Sequence, residues 1–132
     1  MENSHSEHNK EACDYLFASG KFNDWVVTTA FYSALHFVHS EVFPLTTNEG
    51  TFKCFDSYFN FLNKRGSNSL NKHTATIRLV EQHLKHASSQ YRYLYDQCMS
   101  ARYSNFKVSL LMANQAKITL ESLLKVKVKP KL

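Results

Sequence analysis

The segment 24–44, DWVVTTAFYSALHFVHSEVFP, carries a long apolar repeat. Val27, Phe31, Ala34 and Val38 recur at three- and four-residue steps, with Ala30, Leu35 and Val42 beside them. On a helix that period makes one wide apolar stripe, which has to be buried against other helices. Asn23 or Asp24 offers a side-chain acceptor for a free first-turn N–H, and Pro44 cannot continue the helix. The pattern predicts a helix between these signals.

Weaker repeats predict the rest. A first helix is expected over 4–19, with Ala12, Tyr15, Leu16 and Phe17 on its apolar side and Gly20 as the left-handed residue past its end. Residues 45–50 read as a loop. A third helix is expected over 51–64, with Phe52, Phe55, Phe59 and Leu62 on one face and Phe61 off it. Residues 65–71, RGSNSLN, read as a loop, and Asn71 can cap a fourth helix over 72–87. A further helical segment starts near Ser88 or Ser89, or continues the fourth helix through a bend. Tyr91, Leu94, Tyr95 and Cys98 share its face. The last helix is expected over 106–126, with Val108, Met112, Ala116, Leu120 and Leu123 as its seam. No internal repeat or linker divides the chain. The expectation is one all-α domain over 1–132, an up-and-down bundle of four to five helices.

Composition supports this architecture. The chain has 132 residues, of which 43% are hydrophobic and 14% aromatic, enough for one sizeable core. Three glycines and two prolines leave little for the tight turns of a many-stranded sheet. Cys13, Cys54 and Cys98 are far apart, so free and mostly buried thiols in a reducing compartment are expected. The polar N-terminus has no apolar signal core, and no apolar run is long enough for a bilayer, so the sequence reads as cytoplasmic with no membrane partner. The third helix and the long second helix carry more apolar surface than a small monomer readily hides, which predicts a homodimer.

Charge is uneven. Residues 1–60 hold three Lys/Arg against eight Asp/Glu, and residues 61–132 hold thirteen against three. Four of the late lysines stand in the tail over 125–132, KVKVKPKL. A basic half can attract phosphates, a four-lysine end can simply solubilise, and the two halves can pair within one chain or between two. His36 and His39, and His83 and His86, stand at helical i, i+3 spacing, which a transition metal can use. No third ligand is evident beside either pair, and neither a metal nor a cofactor is expected. Glycine loops for phosphate, nucleophile elbows and paired carboxylates are all missing from the sequence, which removes most enzyme classes.

Four pieces, in order, resemble the HEPN family. They are Asn23-Asp24-Trp25 followed by Ala30-Phe31-Tyr32-Ser33-Ala34-Leu35-His36, then His73 with Arg78, then Tyr91 with Leu94, and finally Ser100-Ala101-Arg102-Tyr103. The resemblance spans nearly the whole chain. It implies a bundle of four or five helices, usually dimeric, that deals with RNA or nucleotides. Many members resemble metal-independent endoribonucleases of toxin–antitoxin and phage-defence systems, and others are non-catalytic modules that bind a partner protein or a nucleotide. It also implies an antitoxin or a nucleotidyltransferase as partner.

Catalytic members carry an arginine followed four to six residues later by a histidine, and Arg78-Leu79-Val80-Glu81-Gln82-His83 fits that spacing. Arg78 would neutralise the scissile phosphate and His83 would move the proton. The family brings two such motifs together across a dimer seam. Two features depart from that pattern. Leu79 is apolar where active members have a polar residue, and a five-residue step turns the two side chains about 140° apart. Arg102 is the next phosphate-binding candidate, with Tyr103 and His73 beside it in the motif set. Its bland alternative is a salt bridge to Asp24, Asp96 or Glu41. Tyr103 and Tyr32 offer rings on which a base can stack, or are simply core tyrosines.

Overall fold

The computed structural model describes residues 4–64 and 71–126. They form one mostly helical domain with six α-helices and a small hairpin. The order is α1 (Ser4–Ser19), α2 (Asn23–Val42), β1 (Leu45–Thr47), β2 (Gly50–Phe52), α3 (Phe55–Lys64), α4 (Lys72–His83), a single 3-10 turn (Lys85–Ala87), α5 (Ser88–Tyr103) and α6 (Leu110–Leu123). No helix among the described residues is long and apolar enough to cross a membrane.

Helix α2 is the centre, and α1, α4, α5 and α6 all pack on it. The expected stripe is what they cover. Val27, Ala30, Phe31, Ala34, Val38 and Val42 are buried, and Leu35 is partly so. Burial continues round the helix through Val26, Thr28, Ser33 and Phe37, as a rod surrounded by others requires. The buried hydroxyls of α2 find partners. Ser33 Oγ donates to Ser6 O at 2.8 Å, Ser6 Oγ returns a bond to Ser33 O at 2.8 Å, and Thr28 Oγ1 donates to Asp24 O. Helix α1 is also tied to α6 at the surface, where Lys10 and Lys117 bracket Asp14 and Glu121.

Helix α1 has the expected bounds, and Gly20 has φ 72 as a left-handed end residue should. Asn71 caps α4, its Oδ1 accepting from Thr74 N–H at 2.8 Å. Asn71→Ala is expected to cost about 1 kcal/mol of stability in urea unfolding, the usual loss for an N-cap.

The start of α2 differs from expectation. Its N-cap position is Phe22, in the left-handed region at φ 58 and without a side-chain cap. Asn23 is instead turned toward the α5–α6 connection, where its Nδ2 donates to Val108 O at 3.1 Å.

The bundle has six helices rather than four or five, and it carries an antiparallel hairpin where a loop was expected. Thr46 pairs with Thr51 and their hydroxyls are 2.9 Å apart, so residues 50–52 belong to a strand and α3 begins only at Phe55. The fourth helical pattern breaks at Leu84, which is extended past the usual helical ψ at φ −134, ψ 54. Helix α6 starts at Leu110 under a Ser109 cap, four residues later than the pattern suggested. Cys13 and Cys98 are buried, whereas Cys54 is exposed. The aromatic third helix is not the source of surplus apolar surface, because Phe55 and Phe59 face the core. The remaining loop expectation falls on residues 65–70, and most of the basic tail on 127–132, both outside the described residues.

Candidate functional site

The C-terminal half of α2 has a second, half-buried stripe, which ends on the buried core residue Phe43 just past the helix. Tyr32, His36, His39 and Phe43 follow one another at steps of four, three and four, with Leu35 and Ser40 alongside. They floor a cleft of about 700 Å³. The first turn of α4 forms one wall with Lys72, His73 and Thr76, and residues 53–56 before and at the start of α3 form another. His5 of α1 closes one edge. Four histidines, two lysines, Asp56 and Cys54 thus meet among aromatic rings.

The rings are ordered by stacking. His39 lies flat on Phe55 at 4.2 Å, and its Nε2 is 2.9 Å from Thr76 Oγ1. Burial lowers its pKa to about 4, and the charges of His36 and Lys72 push the same way. His36 stacks on His5 at 5.0 Å, and its pKa falls through burial and then through His5. His73 leans on Phe31 at 5.7 Å and on Tyr95 at 5.3 Å. Its pKa is lowered by burial first and by the Arg102 charge second. These three imidazoles are therefore neutral near pH 7, and each can offer one N–H and one lone pair.

Two fixed positive charges, Lys53 and Lys72, line the cleft, and a third, Arg102, stands outside the lining but is tied to it through Tyr32. Lys72 is 3.7 Å from Asp56, both exposed, and Lys53 lines the opening. Arg102, in the last turn of α5, donates from Nη1 to Tyr32 Oη at 2.7 Å. Its guanidinium also lies 5.2 Å from the ring centre of Tyr103. The expected salt bridge to Asp24, Asp96 or Glu41 is not made. Among the described residues Arg102 has no ion-pair partner, and Asp96 pairs with Arg92. The Tyr32 hydroxyl orients the exposed guanidinium where a carboxylate was expected. Next to it, His73 Nδ1 is buried without a hydrogen-bond partner. An exposed guanidinium oriented by a hydroxyl, with no carboxylate on it among the described residues, is free to grip an anionic group.

Among the sequence candidates, the Arg102 charge acts on His73, Arg102 is bonded to Tyr32, and Tyr103 is exposed beside Arg102. Arg78 and His83 are elsewhere. Ala75, Thr76, Leu79 and Val80 form the buried side of α4, and at about 100° per residue Arg78 stands roughly 130° round from it, exposed. His83 is the final residue of α4 and exposed. Neither lines the cleft. His5, Lys53 and Asp56 were not candidates from the sequence, His39 entered only as half of a metal pair, and His36 entered in that pair and at the end of the first family-like piece. The four-three-four stripe on α2 was the available signal for the floor. Nothing in the sequence links His5 to His36. Among the described residues, no group of three His, Cys, Asp or Glu side chains is placed to hold a metal.

Compared with protein-family models, with curated proteins and with solved structures, the chain matches none.

Proposed function

We propose that this chain is a HEPN-like binding domain that holds the phosphate of a nucleotide, free or within RNA, on Arg102, next to the cleft-lining Tyr32 and His73. The observation that carries the reading is the exposed Arg102 guanidinium, oriented by the Tyr32 hydroxyl, without an ion-pair partner among the described residues and near enough to lower the pKa of His73. Arginine matches phosphate with a planar fork, and the imidazoles and aromatic walls suit a base and ribose. The same two residues, with Tyr32, stand in the motif pieces that carry the family resemblance. The Arg78–His83 nuclease reading draws no support from within one chain, because the helix turns those side chains to different sides.

Titration of the purified protein with adenosine monophosphate and with a short labelled RNA tests the proposal. Arg102→Ala is expected to raise Kd at least tenfold, since charge-assisted hydrogen bonds are worth about 1.5–3 kcal/mol. Arg78→Ala is expected to leave Kd unchanged. In a parallel incubation with total RNA and EDTA, the RNA is expected to stay intact. Cleavage lost in His83→Ala would instead establish the nuclease. Binding unaffected by Arg102→Ala would remove the cleft from the account.

A further inference from the structure

Four of the chain's seven histidines line the cleft, and they come from three helices: His5 on α1, His36 and His39 on α2, and His73 on α4. The spacing of one helix cannot account for that convergence. His36 is the link among them, stacked on His5 at 5.0 Å and near enough to His39 for its charge to act there.

The charged and titratable groups facing these rings come from every element round the cleft. Lys53 stands just before α3 and Asp56 in its first turn, and Lys72 on α4 reaches Asp56 at 3.7 Å. From α5, the Arg102 charge acts on His73. Tyr32 and Cys54 complete the titratable lining, and a bond from the Ser57 N–H holds the Cys54 thiol below its ordinary pKa. Asp56 is the one carboxylate among the lining residues described. The next on α2, Glu41, is two residues past His39 and so about 160° round the helix. Fixed charge round these rings is therefore net positive.

An empty cleft of this kind resists further protons. Burial and then the His5 charge hold His36 below its ordinary pKa, and burial and then Arg102 do the same to His73. An anion reverses the balance. It supplies the missing countercharge, and an imidazolium presents two N–H donors where imidazole presents one. His39 is already engaged, with Nε2 at Thr76 Oγ1 and its ring on Phe55. His36 and His73 are the half-buried rings left to respond.

We propose that the cleft takes up protons on His36 and His73 together with its anion, so that pH sets its affinity for phosphate. The proposal rests on the reading of a phosphate on Arg102 and adds the regulation of that site. Its sign follows from linkage. Between the lowered pKa of each ring in the empty cleft and the raised one in the complex, binding tightens as pH falls, by up to about tenfold per pH unit for each ring. The gain is lost as pH rises through the value in the complex.

Isothermal titration of the full chain with adenylyl-adenosine tests this, because its one phosphodiester keeps the same charge from pH 6 to pH 8. The wild-type Kd is expected to fall about tenfold from pH 8 to pH 6. Buffers of different ionisation heat at pH 6.5 are expected to reveal net proton uptake. His36→Asn and His73→Asn should each reduce the pH effect, and the double variant should bring it below about twofold. Thermal unfolding at both pH values checks the fold of each variant. Cys54→Ser should keep the full effect. A Kd independent of pH, binding without proton uptake, an effect that survives in the double histidine variant, or one lost in Cys54→Ser would overturn the coupling. If that ligand still bound about tenfold more weakly to Arg102→Ala, the phosphate site would stand without its proton. A ligand held equally well by Arg102→Ala, or not held at all, would remove both.

Discussion

Phe31→Ala is expected to lower the melting temperature by about 10–20 °C and to abolish ligand binding. Phe31 is fully buried in the middle of α2. Its ring has Tyr32, His73, Tyr91 and Tyr95 around it at 5.2–5.7 Å between centroids. Truncating a buried phenylalanine costs about 3–5 kcal/mol through lost transfer energy and the cavity left behind. A domain of this size has about 5–15 kcal/mol in all, and each kcal/mol shifts the melting point by a few degrees. The loss is also specific to the site. His73 and Tyr32, which meet the ligand in our proposal, lean on this ring, and Tyr91 behind it already carries a buried hydroxyl with no partner. Phe31→Leu keeps most of the volume and is expected to lose less than half as much. Scanning calorimetry with the ligand titration checks both effects. A melting point within 3 °C of wild type in Phe31→Ala would contradict this account of the core.

Acidification from pH 7 to pH 4 is expected to remove about 3 kcal/mol of stability through His39 alone. Its native pKa is lowered from 6.5 to about 4, by burial first. Above pH 6.5 the ring is neutral in both folded and unfolded chains and nothing is lost. Between pH 6.5 and 4 the unfolded chain binds a proton that the folded chain refuses, so the folded state loses about 1.4 kcal/mol per pH unit. His36 and His73 are shifted the same way, also by burial first, and add to the loss. Glu121 is held below its usual value mainly by the Lys117 hydrogen bond, so its contribution is lost in a more acid window, below pH 4.5. Urea unfolding across pH 4–7 separates them. His39→Gln is expected to shrink the loss above pH 4.5 by more than half. A stability flat from pH 7 to pH 4.5 would contradict a neutral buried His39.

Much of the scaffold was legible in the sequence. Periodicity located α2 and its core stripe because four neighbouring helices cover it, leaving few polar residues on that side. The ends were harder. Phe22 stands where a polar cap was expected, because Asn23 is recruited by the Val108 carbonyl, 85 residues away. The hairpin escaped notice because Thr46 and Thr51 pair across a turn with no Asn-Gly or other strong turn signal. Phe52, read as part of a helix face, instead pairs with Leu45 in that hairpin.

The candidate site was only half legible. His73 and Arg102 came from motif order, but the partner of Arg102 did not. Salt bridges were the natural expectation for an arginine at a helix end, and a tyrosine 70 residues away took their place. Arg78 and His83 matched a spacing, but a five-residue step on a helix separates what spacing alone seems to join. The His5–His36 stack depends on how α1 lies against α2, which no local pattern encodes.

The most direct measurement is a map of amide and imidazole chemical-shift changes as adenosine monophosphate is added to isotope-labelled protein. The account expects the largest changes at Tyr32, His36, His39, Lys72, His73 and Arg102, with little at Arg78 and His83. Changes centred on Arg78 and His83, with the histidine cleft silent, would contradict it.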